Sequence, residues 1–141
     1  MFKKILVGYD GSKGGKAALK GAAEIAEKFD GQVTALWVQE PLPRHSDLPG
    51  EFEAESAAAD EYFQARQKEV ADSAAQYGLS IACETCRGHP AKKIVTSAKE
   101  GGYNLIVIGH SDHSELWGRL LGDTADRISD QAHCSVFIVK I

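Results

Sequence analysis

A chain of 141 residues, 43% hydrophobic and 26% charged with a formal net charge of -4, has the length and balance of one globular domain over residues 1–141, able to bury a core without disulfide or metal staples. Mild acidity and scattered lysines give none of the clustered basic surface that nucleic acid or an anionic membrane demands as partner, and no apolar stretch approaches bilayer-spanning length. Met1 to Val7 holds too short an apolar run for a signal peptide, so a cytoplasmic location is expected, and three cysteines fit reduced thiols better than a disulfide framework.

The apolar run within Lys4 to Asp10 reads as a first strand that leaves through a turn at Asp10-Gly11-Ser12. Ala18, Leu19, Ala22, Ile25, Ala26 and Phe29 then recur at three- and four-residue steps, the apolar face of a helix that Asp30-Gly31 closes. Val33 to Val38 shows little polar alternation, as expected of a strand in a sheet covered on both faces, and strand, helix, strand makes a parallel crossover. Pro41, Pro43 and Pro49 mark Glu40 to Gly50 as an extended connection. A long helix follows, carrying Phe52, Ala59, Phe63, Val70, Ala74 and Tyr77, with Gly78 as its stop. Phe63, Val70 and Tyr77 lie a heptad apart, a stripe read as core packing because the repeat is too short for a coiled coil.

Leu79 to Cys86 is the third strand, and Gly88-His89-Pro90 starts a helix whose face is Ile94, Val95 and Ala98 and whose stop is Gly101-Gly102. Leu105 to Ile108 is a buried fourth strand broken by Gly109. After a loop, a helix is expected from Asp123 as N-cap, with Asp126 three residues on and Ile128 and Ala132 on its face. Ser135 to Ile141 closes the chain as a fifth strand. The alternation predicts an α/β domain: a doubly wound, open, five-stranded parallel sheet, Rossmann-like, with helices on both faces.

Strand, glycine-bounded loop and helix N-terminus after Leu105 make an arrangement suited to phosphate, since free N–H groups and the helix dipole both favour an anion there. Asp10 ends the first strand, where open α/β sheets collect ligands, although an Asp-Gly pair equally serves to shape a turn. Gly15-Lys16 is not a P-loop, because Ala17 replaces the magnesium-binding hydroxyl and Asp10 stands where the leading glycine belongs. Cys83 and Cys86 form a CxxC within a strand, where positions three apart face opposite ways, so both read as structural; Cys134 is read the same way. His110, Asp112 and His113 offer nitrogen and oxygen ligands to a transition metal, but one short loop lacks a fourth. No nucleophile stands out beside a base.

Ile5 to Ser12, Gly88-His89-Pro90 with its helix, Asn104 to Gly109, and Cys134 to Val139 occur in the order in which they occur in the universal stress proteins, and the chain resembles that family over essentially its whole length. Asn104 stands for the usual Asp and Ser135 for the usual Pro. Nucleotide-binding members carry Gly-x-x-Gly, nine residues, then Gly-Ser or Gly-Thr; Gly109 matches the first glycine and Gly122 the last, with His113 to Leu121 between. Asp112 replaces the second glycine and Asp123 the hydroxyl residue, with Thr124 next. The resemblance implies a nucleotide site at Asp10, Gly11, Ser12, Val38, Gly109, Asp112, Gly122, Asp123 and Thr124. Its ligand would be ATP, with Mg2+ to bridge carboxylate and phosphate, since two unit charges about 4 Å apart cost on the order of 4 kcal/mol at an effective dielectric near 20. It implies a stress-response binding or regulatory module with at most slow ATP hydrolysis, not a dedicated enzyme, and a homodimer paired along Val136 to Ile141. Two alternatives remain open: a nucleotide-free homodimeric interaction protein, and a divalent-metal or metal-nucleotide binder using His110, Asp112 and His113.

Overall fold

Five apolar runs become five parallel strands in the computed structural model, which describes residues 1–40, 51–110 and 119–140. They are β1 (Lys4–Gly8), β2 (Gln32–Gln39), β3 (Ala82–Arg87), β4 (Leu105–Gly109) and β5 (Ser135–Val139), in the spatial order β3-β2-β1-β4-β5. β1 is central: Ile5 is in register with Val33 of β2 on one side and with Leu105 of β4 on the other. The helices are α1 (Lys13–Phe29), α2 (Glu51–Gln76), α3 (Pro90–Glu100) and α4 (Arg119–Gln131).

Period-two alternation within β1 and β4 explains why two helical layers are needed. Ile5, Val7, Leu105 and Val107 point to the face covered by α1 and by Val70 of α2, while Leu6, Ile106 and Ile108 point to the face where α3 and α4 bring Ala91, Ile94, Ala98, Ala125 and Ile128. The doubly wound parallel sheet expected from the sequence is therefore the observed fold. No helix among the described residues is long and apolar enough to cross a membrane.

Local chemistry sets the helix ends. Ser12 caps α1 by accepting from the Gly15 N–H, and Asp30 ends it in the left-handed region at φ 55°. Pro90 begins α3, where a missing N–H costs nothing. α2 is long but shallow: Val70 and Ala74 are buried, Phe63 and Tyr77 only half-buried, and between Glu55 and Glu69 no side chain is fully buried.

Three boundaries differ from expectation. β3 starts at Ala82 rather than Leu79, because Leu79 and Ile81 pack under the α1 face before strand pairing with β2 begins at Thr34. The last strand ends at Val139. α4 starts at Arg119, so Asp123 lies inside the helix and is not its N-cap. Gly122 also falls within α4, where an isolated helical glycine costs only about 1 kcal/mol relative to alanine and is tolerated. The proline-rich connection beyond Glu40 lies outside the described residues.

The end of β4 is pressed against the first turn of α1. A Cβ added at Gly109 would stand 2.0 Å from the Gly14 carbonyl oxygen, a backbone atom that cannot swing aside, so close approach makes glycine necessary there. Gly109→Ala is expected to cost about 3 kcal/mol or more of stability, the upper end for overpacking, read as a lowered urea midpoint. An unchanged midpoint would contradict this packing.

Candidate functional site

All five strands present their carboxyl ends to one edge of the sheet, and the strand order reverses between β1 and β4. Open α/β sheets leave a crevice at such a switch point, because crossovers on either side depart to opposite faces. Here it is a cleft of about 570 Å³, within the size range of small-molecule sites. Its floor is apolar, formed by Leu36, Val38, Ile94, Ile108 and Ile128, and its rim is polar, with Asp10, Ser12, Glu40, Glu55 and Thr124.

The β1–α1 turn is built from its own side chains. Gly11 sits at φ 85°, a conformation that L residues rarely adopt. Asp10 Oδ1 accepts from the Ser12 N–H at 2.9 Å and from the Ser12 hydroxyl, while Ser12 Oγ accepts from Gly15 N at 3.1 Å. The Asp10 carboxylate thus lies at the N-terminus of α1, where the helix dipole favours negative charge. It shapes the turn and lines the cleft as well.

Helix α2 supplies the remaining wall through an aromatic clasp. The Tyr62 ring lies 4.6 Å from that of Trp37, its hydroxyl donates to the Asp10 carbonyl, and the Arg66 guanidinium covers it at 4.2 Å. Arg66 pairs with Glu69 at 2.7 Å, and Glu69 accepts from the Tyr9 hydroxyl at 2.6 Å. Burial first, and then the Glu69 carboxylate, push the Tyr9 phenol well above its ordinary range.

Of the residues anticipated from sequence, Asp10, Ser12, Val38, Gly109 and Thr124 line one cleft, and Gly11 makes the turn that places two of them. Gly122 and Asp123 lie on the backbone of α4, while Asp112 and His113 lie outside the described residues. His110 is held by its N–H on the Val139 carbonyl at 2.8 Å and is not part of the cleft lining. Among the described residues no three His, Cys, Asp or Glu side chains gather as a metal cluster. Cys83 packs toward the α1 face and Cys86 toward the α3 face, as strand alternation requires; burial raises the pKa of both thiols and of Cys134, opposite to what a reactive thiol needs.

Trp37, Tyr62 and the Arg66–Glu69–Tyr9 chain went unrecognised from sequence. Trp37 directly precedes Val38 at the strand end, which was a usable signal. Tyr62 sits one residue off the Ala59–Phe63 stripe, so periodicity assigns it to solvent.

Residues 1–140 match the model of the universal stress protein family. The universal stress protein MJ0531 of Methanocaldococcus jannaschii is 37% identical to the chain, covering 99% of it and 83% of that protein. The universal stress protein YxiE of Bacillus subtilis is 31% identical, covering 99% of the chain and 100% of the relative. Among solved structures, a universal stress protein in complex with cAMP superposes with a TM-score of 0.76 at 26% identity, over 97% of this chain and 96% of that one.

The Tyr9 environment predicts a pH effect. The folded state holds the phenol proton more tightly than the unfolded chain, so this contribution is fully present below the ordinary phenol pKa of about 10 and is lost as pH rises above it. Urea denaturation between about pH 9 and about pH 11 is expected to show a steeper loss of stability for the native protein than for Tyr9→Phe. Parallel slopes would show that Tyr9 titrates alike in both states.

Proposed function

The chain belongs to the universal stress protein family, and we propose that its cleft binds an adenine nucleotide, making it a stress-response regulatory module that acts through occupancy rather than as a dedicated enzyme. The observation that carries this reading is the cleft itself: an apolar slot with a polar rim at the β1/β4 switch point, bringing Asp10, Val38, Gly109 and Thr124 together. A base would lie on the apolar floor beside Val38, with its ribose near Asp10 and its phosphates toward Gly109, Gly122 and Thr124. The cAMP complex of a structural relative supports the ligand class. Asp112 and Asp123 would oppose phosphate directly and favour it through a bridging Mg2+. Any hydrolysis would be slow, since the hydroxyl–carboxylate pair on the described lining, Ser12 and Asp10, is engaged in shaping the β1–α1 turn.

Dimerisation in the cytoplasm completes the proposal. β5 is an edge strand, its Phe137 is 49% exposed, and pairing two copies along Val136 to Ile141 would cover both. The second reading, a nucleotide-free interaction dimer, is favoured by the carboxylates at positions 112 and 123 and keeps the same edge. The third reading, a divalent-metal or metal-nucleotide binder through His110, Asp112 and His113, draws on two residues outside the described ones.

Calorimetric titration of nucleotide-stripped protein with ATP, in Mg2+ and in chelator, tests the proposal. Binding is expected in Mg2+ and at least about tenfold weaker in chelator, given the repulsion expected between carboxylate and phosphate. Asp112→Gly combined with Asp123→Ser is expected to recover most of that loss. No binding under either condition, for native protein and variant alike, would leave the interaction dimer as the function.

A further inference from the structure

We propose that this cleft discriminates among adenine ligands by charge, taking the nucleoside and the monophosphate in preference to the triphosphate when no divalent cation is present. The inference rests on the nucleotide reading above and concerns which member of that class the site selects. All candidates would bury the same base on the same apolar floor, so that contribution cancels and the phosphates decide among them.

Three features set their cost. Asp10, Glu40 and Glu55 all line the cleft, and no lysine or arginine does so among the described residues. At low salt the Debye length, about 30 Å at 0.01 M, exceeds the reach of a small-molecule cleft, so each lining carboxylate acts on a charge placed inside it. The start of α1, which reaches the cleft through Ser12, Gly14 and Gly15, already has a carboxylate on it: Asp10 Oδ1 takes the Ser12 N–H and hydroxyl, and Ser12 Oγ takes the Gly15 N–H. The guanidinium beside that turn is drawn away from the cleft, since Arg66 Nη2 pairs with Glu69 at 2.7 Å, the group stacks on Tyr62, and Arg66 is not among the residues that line the cleft. Each added phosphate group therefore brings charge into a negative field that no lysine or arginine of the described lining offsets.

The test is a calorimetric series with adenosine, AMP and ATP in chelator at low salt. AMP is expected within about threefold of adenosine and ATP at least about tenfold weaker than AMP, a gap that narrows as salt is raised. Glu40→Gln combined with Glu55→Gln is expected to raise the ATP-to-adenosine affinity ratio by about threefold to tenfold. ATP binding as tightly as AMP in chelator would overturn charge discrimination while leaving the nucleotide site standing. Failure of adenosine, AMP and ATP alike to bind protein that remains folded by circular dichroism would overturn the nucleotide reading, and this inference with it.

Discussion

The backbone contact between Gly109 and Gly14 is the constraint on which the cleft depends. It lets the first turn of α1 sit directly on the end of β4, two elements far apart in sequence that become neighbours only because β1 and β4 pair at the centre of the sheet. Once α1 is seated there, Ser12, Gly14 and Gly15 face the crevice rather than bulk solvent. The Asp10–Gly11–Ser12 turn then has one arrangement that joins β1 to α1, with the carboxylate of Asp10 folded onto the helix terminus. A side chain at position 109 would separate the two elements and open the site.

Helix α2 stands in a different relation to the fold. Its second half is anchored by Val70 and Ala74, whereas its first half is held over the cleft by stacking and hydrogen bonding. Tyr62 links the Trp37 ring to the backbone of Asp10, and the Arg66–Glu69 pair carries that link on to the Tyr9 hydroxyl. The wall of the site is therefore tied to Asp10 on the cleft lining, through contacts individually worth about 1 kcal/mol. Such a wall belongs to the less stable part of the domain, where binding elements usually lie.

Much of this architecture was legible because it rests on periodicity. The unbroken apolar runs at Leu105 to Ile108 and Val33 to Val38 identified strands covered on both faces, and strand alternation placed Cys83 and Cys86 on opposite sides of the sheet. Asp10 was legible as a cleft residue because open α/β sheets collect ligands beyond the carboxyl ends of their strands, whereas Val38 and Gly109 came from the resemblance to the universal stress proteins; all three line the cleft. What escaped depends on contacts between distant elements. Tyr62 lies off the helical stripe and gains its role only from Trp37, and Gly109 looked like a strand breaker although its small size serves the approach of α1. The start of α4 was misplaced because an acidic residue suited to an N-cap, Asp123, can equally stand inside a helix, and an isolated helical glycine at Gly122 costs only about 1 kcal/mol.

In the proposed nucleotide site charge and shape point the same way: the apolar floor would take an aromatic base, and the carboxylates of Asp10, Glu40 and Glu55 would limit how much negative charge can accompany it. That combination fits a binding module whose state is set by which ligand is present. The most direct measurement is a crystal structure of the protein grown with AMP. The account predicts density for the base on the floor formed by Leu36, Val38 and Ile108, with the ribose beside Asp10 and the phosphate toward Gly109 and Thr124. A saturated crystal in which that cleft is open and empty, or in which AMP is bound elsewhere on the surface, would contradict it.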